Sequence, residues 1–173
     1  TITSADLSGS VDELLEANEA AGETLSDSGT IAFADVDLSD SHDVGVVANS
    51  ATGETYYGTL VAEVSEVAGA DAGSVTWTYT VTDDDINFLG ATDSLTQTYT
   101  VTVDDLNGGT VNQVVAITLT GTNDAPVASV SAINANETAL EGGPATGSLL
   151  TGATDVDDAD STLTIGTVNG NAV

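Results

Sequence analysis

Residues 74–82, with the sequence SVTWTYTVT, carry the clearest structural pattern in this chain. Val75, Trp77, Tyr79 and Val81 alternate with threonine, so these four apolar side chains point to one face of an extended segment. Alternation with a period of two residues is typical of a half-buried strand, and valine and threonine both favour strands. The segment therefore predicts a strand with an apolar inner face and a threonine-rich outer face.

The same alternation recurs elsewhere in the chain. Residues 96–103 and residues 114–120 each place three apolar side chains on one face. Weaker strand patterns lie at residues 5–11, 29–34, 43–48 and 58–64. Turn-forming clusters such as Asn107-Gly108-Gly109 separate the segments. Together they predict an all-β fold, an antiparallel β-sandwich of about seven strands.

Residues 12–25 depart from the strand pattern. Val11, Leu14 and Leu15 fall at helical spacing, and Gly22 suits the end of a short helix. A loop between the first two strands explains the same residues equally well, so both interpretations stay open.

The charge of the chain limits its partners. Its 173 residues include 28 Asp and Glu, a single His, and neither Lys nor Arg, for a formal charge of -28. Two carboxylates about 5 Å apart repel by roughly 3 kcal/mol at an effective dielectric constant near 20. Each acidic cluster must therefore spread into water, take up protons or bind a cation. We expect no nucleic-acid partner and no membrane insertion, because a basic groove cannot be built and anionic lipid would repel the surface.

Composition also indicates the class of protein to which the chain belongs and its cellular compartment. At 40 % hydrophobic residues it is too apolar for an acidic disordered tail. It contains no Cys, which excludes disulfides and thiolate metal sites. No apolar run is long enough for a transmembrane helix, and no signal peptide pattern occurs. We expect a segment of a longer exported protein, stabilised by a metal instead of disulfides.

A module boundary is predicted at residues 121–127, where Pro126 suits the first position of a new strand. Beyond it part of the sequence repeats. Four residues return at one constant offset, namely Asp35, Asp37, Asp40 and Ser41 as Asp155, Asp157, Asp160 and Ser161. This repeat predicts tandem modules, one at residues 1–124 and the start of a second at residues 125–173. The second is too short for a complete sandwich, so it is either truncated or completed by another chain.

Four motifs carry a family resemblance: GTIAFADVD at residues 29–37, VTWTY at 75–79, VTVDD at 101–105 and ITLTGTNDAPV at 117–127. They resemble the VCBS repeat family, cadherin-like immunoglobulin-fold modules that occur in tandem in large bacterial (RTX-type) adhesins and related exported proteins. The resemblance covers residues 5–127 and implies a Greek-key, Ig-like sandwich located outside the cell. Residues 125–173 look like the start of a second cadherin-like repeat.

Several acidic residues follow strands and are candidate calcium ligands. In a seven-strand sandwich, the second strand would bring Asp35 and Asp37 to the same end as Asp104 and Asp105, which follow the sixth strand. Calcium takes about six to eight hard oxygen ligands, and carboxylates at alternate positions of a flexible loop can supply them. Acidic loops that are simply solvated are the alternative.

The junction with the second module is a further candidate site. Its predicted ligands are Asn123, Asp124, Asp155, Asp157 and Asp160. The resemblance to cadherin-like modules adds Glu137 near the first strand of the second module, and Glu13 in the first. A calcium ion at this position would stiffen the junction and turn a flexible string of modules into a rod.

Other noticeable residues have simpler explanations. Asp83-Asp84-Asp85 falls at the opposite end from the Asp35 loop and is interpreted as a turn. His42 is predicted to be a surface residue; since no nucleophile-elbow motif occurs in the chain, we expect no enzyme. Trp77 is predicted to fill the sandwich core.

The favoured function is a non-catalytic, calcium-rigidified extender module of a tandem-repeat bacterial surface adhesin, whose partners are its neighbouring modules. One alternative is a subunit of a self-assembling filament or surface layer, in which copies of the chain join by strand complementation. Another is a carbohydrate- or surface-binding module, for which Tyr56 and Tyr57 are the exposed-looking aromatic pair.

Overall fold

The structure, a computed structural model, describes residues 1–15, 22–37, 39–67, 70–127, 150, 152–157, 163–165, 167–168 and 171–172. The described residues form β-strands and loops, together with one 3-10 turn at Asp83–Asp85. No helix in this part of the chain has the length and apolar character needed to cross a membrane.

The strands follow one another in chain order. They are β1 (Ile2–Ala5), β2 (Ser8–Asp12), β3 (Thr24–Ala34), β4 (Asp43–Ala48), β5 (Thr59–Glu66), β6 (Ala72–Thr82), β7 (Ser94–Asp104), β8 (Thr110–Thr120), β9 (Thr167–Val168) and β10 (Asn171–Ala172). The first eight strands form the sandwich, and β9 and β10 pair only with each other.

Two four-stranded sheets make up the sandwich, with strand orders β1-β3-β6-β5 and β2-β8-β7-β4. β5–β6 and β7–β8 are antiparallel neighbours within a sheet, whereas the chain crosses between sheets from β3 to β4, from β4 to β5 and from β6 to β7. These crossings are typical of Greek-key sandwiches. The predicted all-β sandwich is confirmed.

The first predicted strand is divided between the two sheets. β1 pairs antiparallel with β3, and β2 pairs parallel with β8. The backbone N–H of Asp6 donates to Thr30 O in one sheet, and Leu7 O accepts from the N–H of Ala116 in the other. Backbone hydrogen bonds therefore continue on both sides of the switch. Because β2 crosses to the second sheet, it pairs parallel with β8, where an antiparallel fold was predicted.

The segment between the first two predicted strands is mostly outside the described residues. β2 extends to Asp12 and β3 begins at Thr24, several residues before the predicted start. Of the interval that was open between helix and loop, residues 16–21 lie outside the described part of the chain.

The core lies between the sheets and is centred on Trp77. The inward residues predicted for β6 are all buried, with Trp77 and Tyr79 at 0 % exposure. Trp77 Nε1 donates a 2.8 Å hydrogen bond to Asp6 O, which ties the indole to the chain between β1 and β2. Gly29 lies opposite Trp77 in the strand register, and a side chain there would collide with the indole. The predicted core role of Trp77 is confirmed.

Candidate metal centre

Five carboxylates meet at the end of the sandwich from which residues 121–127 leave; we call them the junction cluster. Glu13 follows β2, Asp83 begins the 3-10 turn after β6, and Asp124 follows β8. Asp155 and Asp157 come from the segment beyond residue 150. Because β2 and β8 are parallel neighbours, their C-terminal ends lie side by side, with Asp12 paired to Thr120.

Hydrogen bonds join the three strand ends. Glu13 Oε2 accepts from the N–H of Thr122 at 2.6 Å, and Thr122 Oγ1 donates to Glu13 O at 2.9 Å. The N–H of Leu14 donates to Asp83 Oδ1 at 2.9 Å. The two residues after β2 are therefore bonded to different partners: Glu13 to Thr122, which follows β8, and Leu14 to Asp83, in the turn that follows β6.

The later segment folds back onto the same place. The N–H of Asp124 donates to Asp157 Oδ2 at 3.1 Å, and Val127 and Thr154 exchange backbone hydrogen bonds of 2.8 and 3.0 Å. A β-carbon placed on Gly90 would lie 3.5 Å from Asp157 Oδ2, so the loop after the 3-10 turn lies against this carboxylate. Residues of the predicted second module thus complete the cluster.

Burial distinguishes the junction cluster from ordinary surface acids. Glu13 is 3 % exposed, Asp83 0 % and Asp124 2 %. Buried oxygens without a hydrogen-bond partner, among the described residues, include Glu13 Oε1, Asp83 Oδ2, Asp155 Oδ1 and Asp157 Oδ1. A buried carboxylate that is neither paired nor fully hydrogen-bonded costs several kcal/mol, so this arrangement needs protons or a cation.

The proton affinities of the cluster point the same way. Burial raises the pKa of Glu13 from 4.5 to about 7; the N–H of Thr122 opposes this rise, and the carboxylates of Asp124 and Asp83 add to it. The pKa of Asp157 is also raised, first because its carboxyl lies beside that of Asp155, with which it would share a proton, and then by burial. A bound cation would release these protons, because it favours the ionised form.

The donor chemistry fits a hard divalent cation. Every side chain of the junction cluster offers carboxylate oxygen, the ligand that calcium prefers. No Lys or Arg exists in the chain to neutralise the cluster. The carboxylates of the junction cluster are not closely spaced. Among the described residues, carboxylate oxygens from three residues lie within 4.8 Å of one another only at the other end of the sandwich. Mutual repulsion keeps buried carboxylates apart, and a bound cation would draw them together.

The structure brings together three residues that the sequence predicted for this junction: Asp124, Asp155 and Asp157. Asn123 is exposed, and its Nδ2 donates to Asp124 O, so its side chain is bonded to the backbone of the next residue. Glu137 and Asp160 lie outside the described residues.

Asp83 was not predicted as a ligand, and Glu13 only through the family resemblance. Asp83–Asp85 does form a turn, as predicted, but its first carboxylate is fully buried at the junction. A signal was present in the sequence. Asp83 falls two residues after the inward-facing Val81 of β6, and Glu13 falls two residues after the inward-facing Val11 of β2, so each occupies the next inward position. An acid at the next inward position of an apolar strand face indicates a buried carboxylate that needs compensation.

A second acidic group, the N-terminal cluster, lies at the opposite end and consists of Asp35, Asp40 and Asp105. The sequence predicted that Asp35 and Asp105 would meet, and the structure brings them together with Asp40. Asp37 and Asp104, the other predicted ligands, are not part of this group. Asp104 stands opposite Asp43 in the register of β7 and β4, and its Oδ1 accepts from the N–H of Leu106 at 2.8 Å.

Internal donors already compensate the N-terminal cluster. His42 Nε2 lies 3.2 Å from Asp35 Oδ2, and His42 Nδ1 lies 2.7 Å from Glu66 Oε2. The pKa of Asp35 is lowered, first by the N–H of Asp37 and then by His42. The pKa of Asp105 is lowered by the N–H groups of Gly109 and Asn107. These acids stay ionised without a buried, unpartnered oxygen, unlike the junction cluster.

The prediction that His42 is an ordinary surface residue is wrong. Its side chain is 8 % exposed, and its ring centroid lies 4.6 Å from that of Phe33. Burial alone would lower the pKa of His42, but its hydrogen bonds with Glu66 and Asp35 outweigh burial and the pKa is raised. With no Lys or Arg available, this imidazole is the side-chain cation for the two acids.

Comparison with known proteins gives weak likenesses only. No protein-family model and no curated protein matches this chain, so the VCBS resemblance remains an expectation drawn from its motifs. The cadherin-like domains 1 to 4 of zebrafish RET are similar over 70 % of this chain and 26 % of theirs, with 12 % identity and a TM-score of 0.36. The secreted serine protease VesC from Vibrio cholerae is similar over 76 % and 25 %, with 10 % identity and a TM-score of 0.26. The chain thus spans about a quarter of each solved structure.

Proposed function

We propose that this chain is a non-catalytic extender module of a tandem-repeat surface protein outside a bacterial cell, and that calcium stiffens its junction with the following module. One observation carries the proposal: Glu13, Asp83, Asp155 and Asp157 lie at one end of the sandwich, and each has a buried oxygen without a hydrogen-bond partner, in a chain without Lys or Arg. A divalent cation is the simplest partner that satisfies several such oxygens at once.

The sources of the ligands explain how an ion would act. Glu13, Asp83 and Asp124 come from the ends of three different strands, and Asp155 and Asp157 come from the following segment. An ion held by all of them binds only the folded and aligned state, so it stabilises that state by mass action. With free calcium tenfold above a dissociation constant of about 10⁻⁴–10⁻³ M, one site adds about 1.4 kcal/mol.

The repeated acids extend this role to a series of modules. Asp35 and Asp37 stand where Asp155 and Asp157 stand in the next repeat. We therefore expect Asp35 and Asp37 to serve a preceding module's junction as Asp155 and Asp157 serve this one. Calcium at successive junctions would convert a flexible string of modules into a rod, which holds a terminal domain away from the cell.

The same dependence would assist export. In a calcium-poor cytoplasm the junction cluster repels itself, and the module is expected to be less stable there than outside the cell. Folding would then follow secretion. Stable folding of the chain in chelator would contradict this part of the proposal.

Thermal unfolding tests the proposed calcium site. The chain is melted in about 5–10 mM calcium, in excess chelator, in magnesium, and in sodium of matched ionic strength. We expect a calcium-specific rise in melting temperature of about 3–10 °C. Asp83→Asn should abolish most of this rise, whereas the control Asp84→Asn, one residue along and exposed, should keep it. An equal rise in sodium would instead mean general screening of charge and would overturn the proposal.

A further inference from the structure

A pocket of about 590 Å³ lies between the residues before β5 and the loop that joins β6 to β7. Tyr57 and Phe88 line it, with ring centroids 5.1 Å apart and planes inclined at 41°. Phe88 is 43 % exposed, and it is the one exposed aromatic side chain among the described residues. Glu54 and Asp93 also line the pocket, so it combines aromatic rings with carboxylates.

The backbone that carries the two rings is held in place by buried groups. The N–H of Tyr57 donates to Gln97 Oε1 at 2.6 Å, and Tyr57 O accepts from Tyr79 OH at 2.6 Å and from Gln97 Nε2 at 2.9 Å. Gln97 is 2 % exposed, which makes this network rigid. Phe88 stands between buried Ile86 and Leu89. A ligand would therefore meet a preorganised aromatic surface and would lose little affinity to ordering it.

The carboxylates are also positioned. Glu54 Oε2 accepts from the N–H of Ala51 at 2.9 Å, and Asp93 Oδ2 accepts from the N–H of Gly90 at 3.3 Å. The chain itself has no Lys or Arg to place beside them. A cation over an aromatic face gains cation–π attraction, and a nearby carboxylate adds an ion pair. The lining of the pocket is complementary to a cationic group.

We propose that this pocket binds an arginine side chain from a basic segment of a partner protein. A guanidinium group is planar, stacks on aromatic rings and can bond a carboxylate through two N–H groups, and it is less strongly hydrated than an ammonium group. An anionic ligand would be repelled by a protein of charge -28. This binding role is separate from the proposed calcium junction.

The test is an NMR titration of the isotope-labelled full chain in saturating calcium at fixed ionic strength. The probe is a short capped peptide, acetyl-Gly-Arg-Gly-amide. The matched peptide replaces Arg by citrulline, which has the same shape without the charge. We expect the arginine peptide to shift the resonances of residues 54–57 and 88–95 saturably, and the citrulline peptide to bind at least about fivefold more weakly.

Two variants locate the binding, and each has a matched control. Phe88→Ala should weaken binding about fivefold. Val114→Ala, which removes an exposed apolar side chain from β8, should leave it unchanged. Glu54→Gln should weaken binding, whereas Glu63→Gln removes the same charge from an exposed position on β5 and should not.

Three results would overturn the proposal. Equal effects of Glu54→Gln and Glu63→Gln would mean that the general negative field attracts the peptide. Equal binding of the arginine and citrulline peptides would remove the role of charge. Saturable shifts of the same resonances by a neutral disaccharide such as maltose, without binding of the arginine peptide, would assign the pocket to a sugar instead.

Discussion

Replacement of Glu13 by Gln is the most direct test of the junction cluster, because the stability that it adds should shrink when calcium is present. Gln keeps the size and shape of the side chain. Its amide oxygen can accept from the N–H of Thr122, as Glu13 Oε2 does at 2.6 Å. Its NH₂ group can donate to the carboxyl of Asp124, a hydrogen-bonding partner of Glu13. The substitution therefore removes charge with little change in packing.

The magnitude follows from the pKa of Glu13, which burial raises from 4.5 to about 7. The folded state binds this proton more tightly than the unfolded state does, so the group does not oppose folding below pH 4.5. The ionised carboxylate lowers the free energy of unfolding by an amount that grows as the pH rises to about 7. Above that pH the loss is complete, at about 3 kcal/mol. Removing that cost should raise the melting temperature of a chain of this length by about 6–12 °C.

The assay is thermal unfolding of both proteins at pH 8 and pH 5, with and without calcium. In calcium-free buffer at pH 8 the Glu13→Gln variant should melt about 6–12 °C above the parent protein. At pH 5 most of this gain should disappear, because the parent Glu13 is then protonated. In about 10 mM calcium at pH 8 the parent should gain about 1.4–2.7 kcal/mol from a site with a dissociation constant of about 10⁻⁴–10⁻³ M. The variant lacks one charged ligand and should gain less, so its advantage in melting temperature over the parent should shrink.

The control is Asp12→Asn, one residue away at the exposed end of β2, which should show none of these changes. Equal melting temperatures for Glu13→Gln and the parent at pH 8 without calcium would refute the buried, uncompensated charge. A variant whose advantage over the parent is the same with and without calcium would refute the role of Glu13 as a ligand, even if the pH dependence were as expected.

Three further predictions concern the rest of the molecule. Gly29→Val should destabilise the sandwich by about 1–3 kcal/mol, since its side chain would collide with the indole of Trp77, and an unchanged urea midpoint would contradict this packing. His42→Gln should lower the melting temperature at pH 6 and have less effect at pH 9. Because the pKa of His42 is raised in the folded state, the protonated ring contributes to the free energy of unfolding. This contribution is complete below about pH 6.5 and is lost as the pH rises through the folded-state pKa. Equal losses of melting temperature at pH 6 and pH 9 would mean that the charge of His42 does not explain the effect. Light scattering in calcium should find a monomer, as an extender module requires, whereas polymers that grow with concentration would favour the filament alternative.

Local sequence patterns were sufficient to predict most of the strands. The alternation in β6, β7 and β8 is local, because side chains two residues apart in a strand point to the same face. The buried face of each strand could therefore be predicted without knowing the rest of the chain. The division of the first strand was not predictable in this way. It depends on hydrogen bonds from Asp6 to Thr30 and from Ala116 to Leu7, whose partners are distant in sequence.

The candidate site shows the same limit. Absence of Lys and Arg and the repeated Asp-Val-Asp motif were visible in the sequence, and they pointed to acids in need of a cation. Only the tertiary structure placed Glu13 beside Thr122 and Leu14 beside Asp83, because that proximity follows from the parallel pairing of β2 with β8 and from the end at which β6 stops. Composition and periodicity determine which residues are acidic and which face inward. Strand pairing decides which of the inward acids lie at the same end of the sandwich. Because burying carboxylates together costs free energy, these acids need protons or a cation.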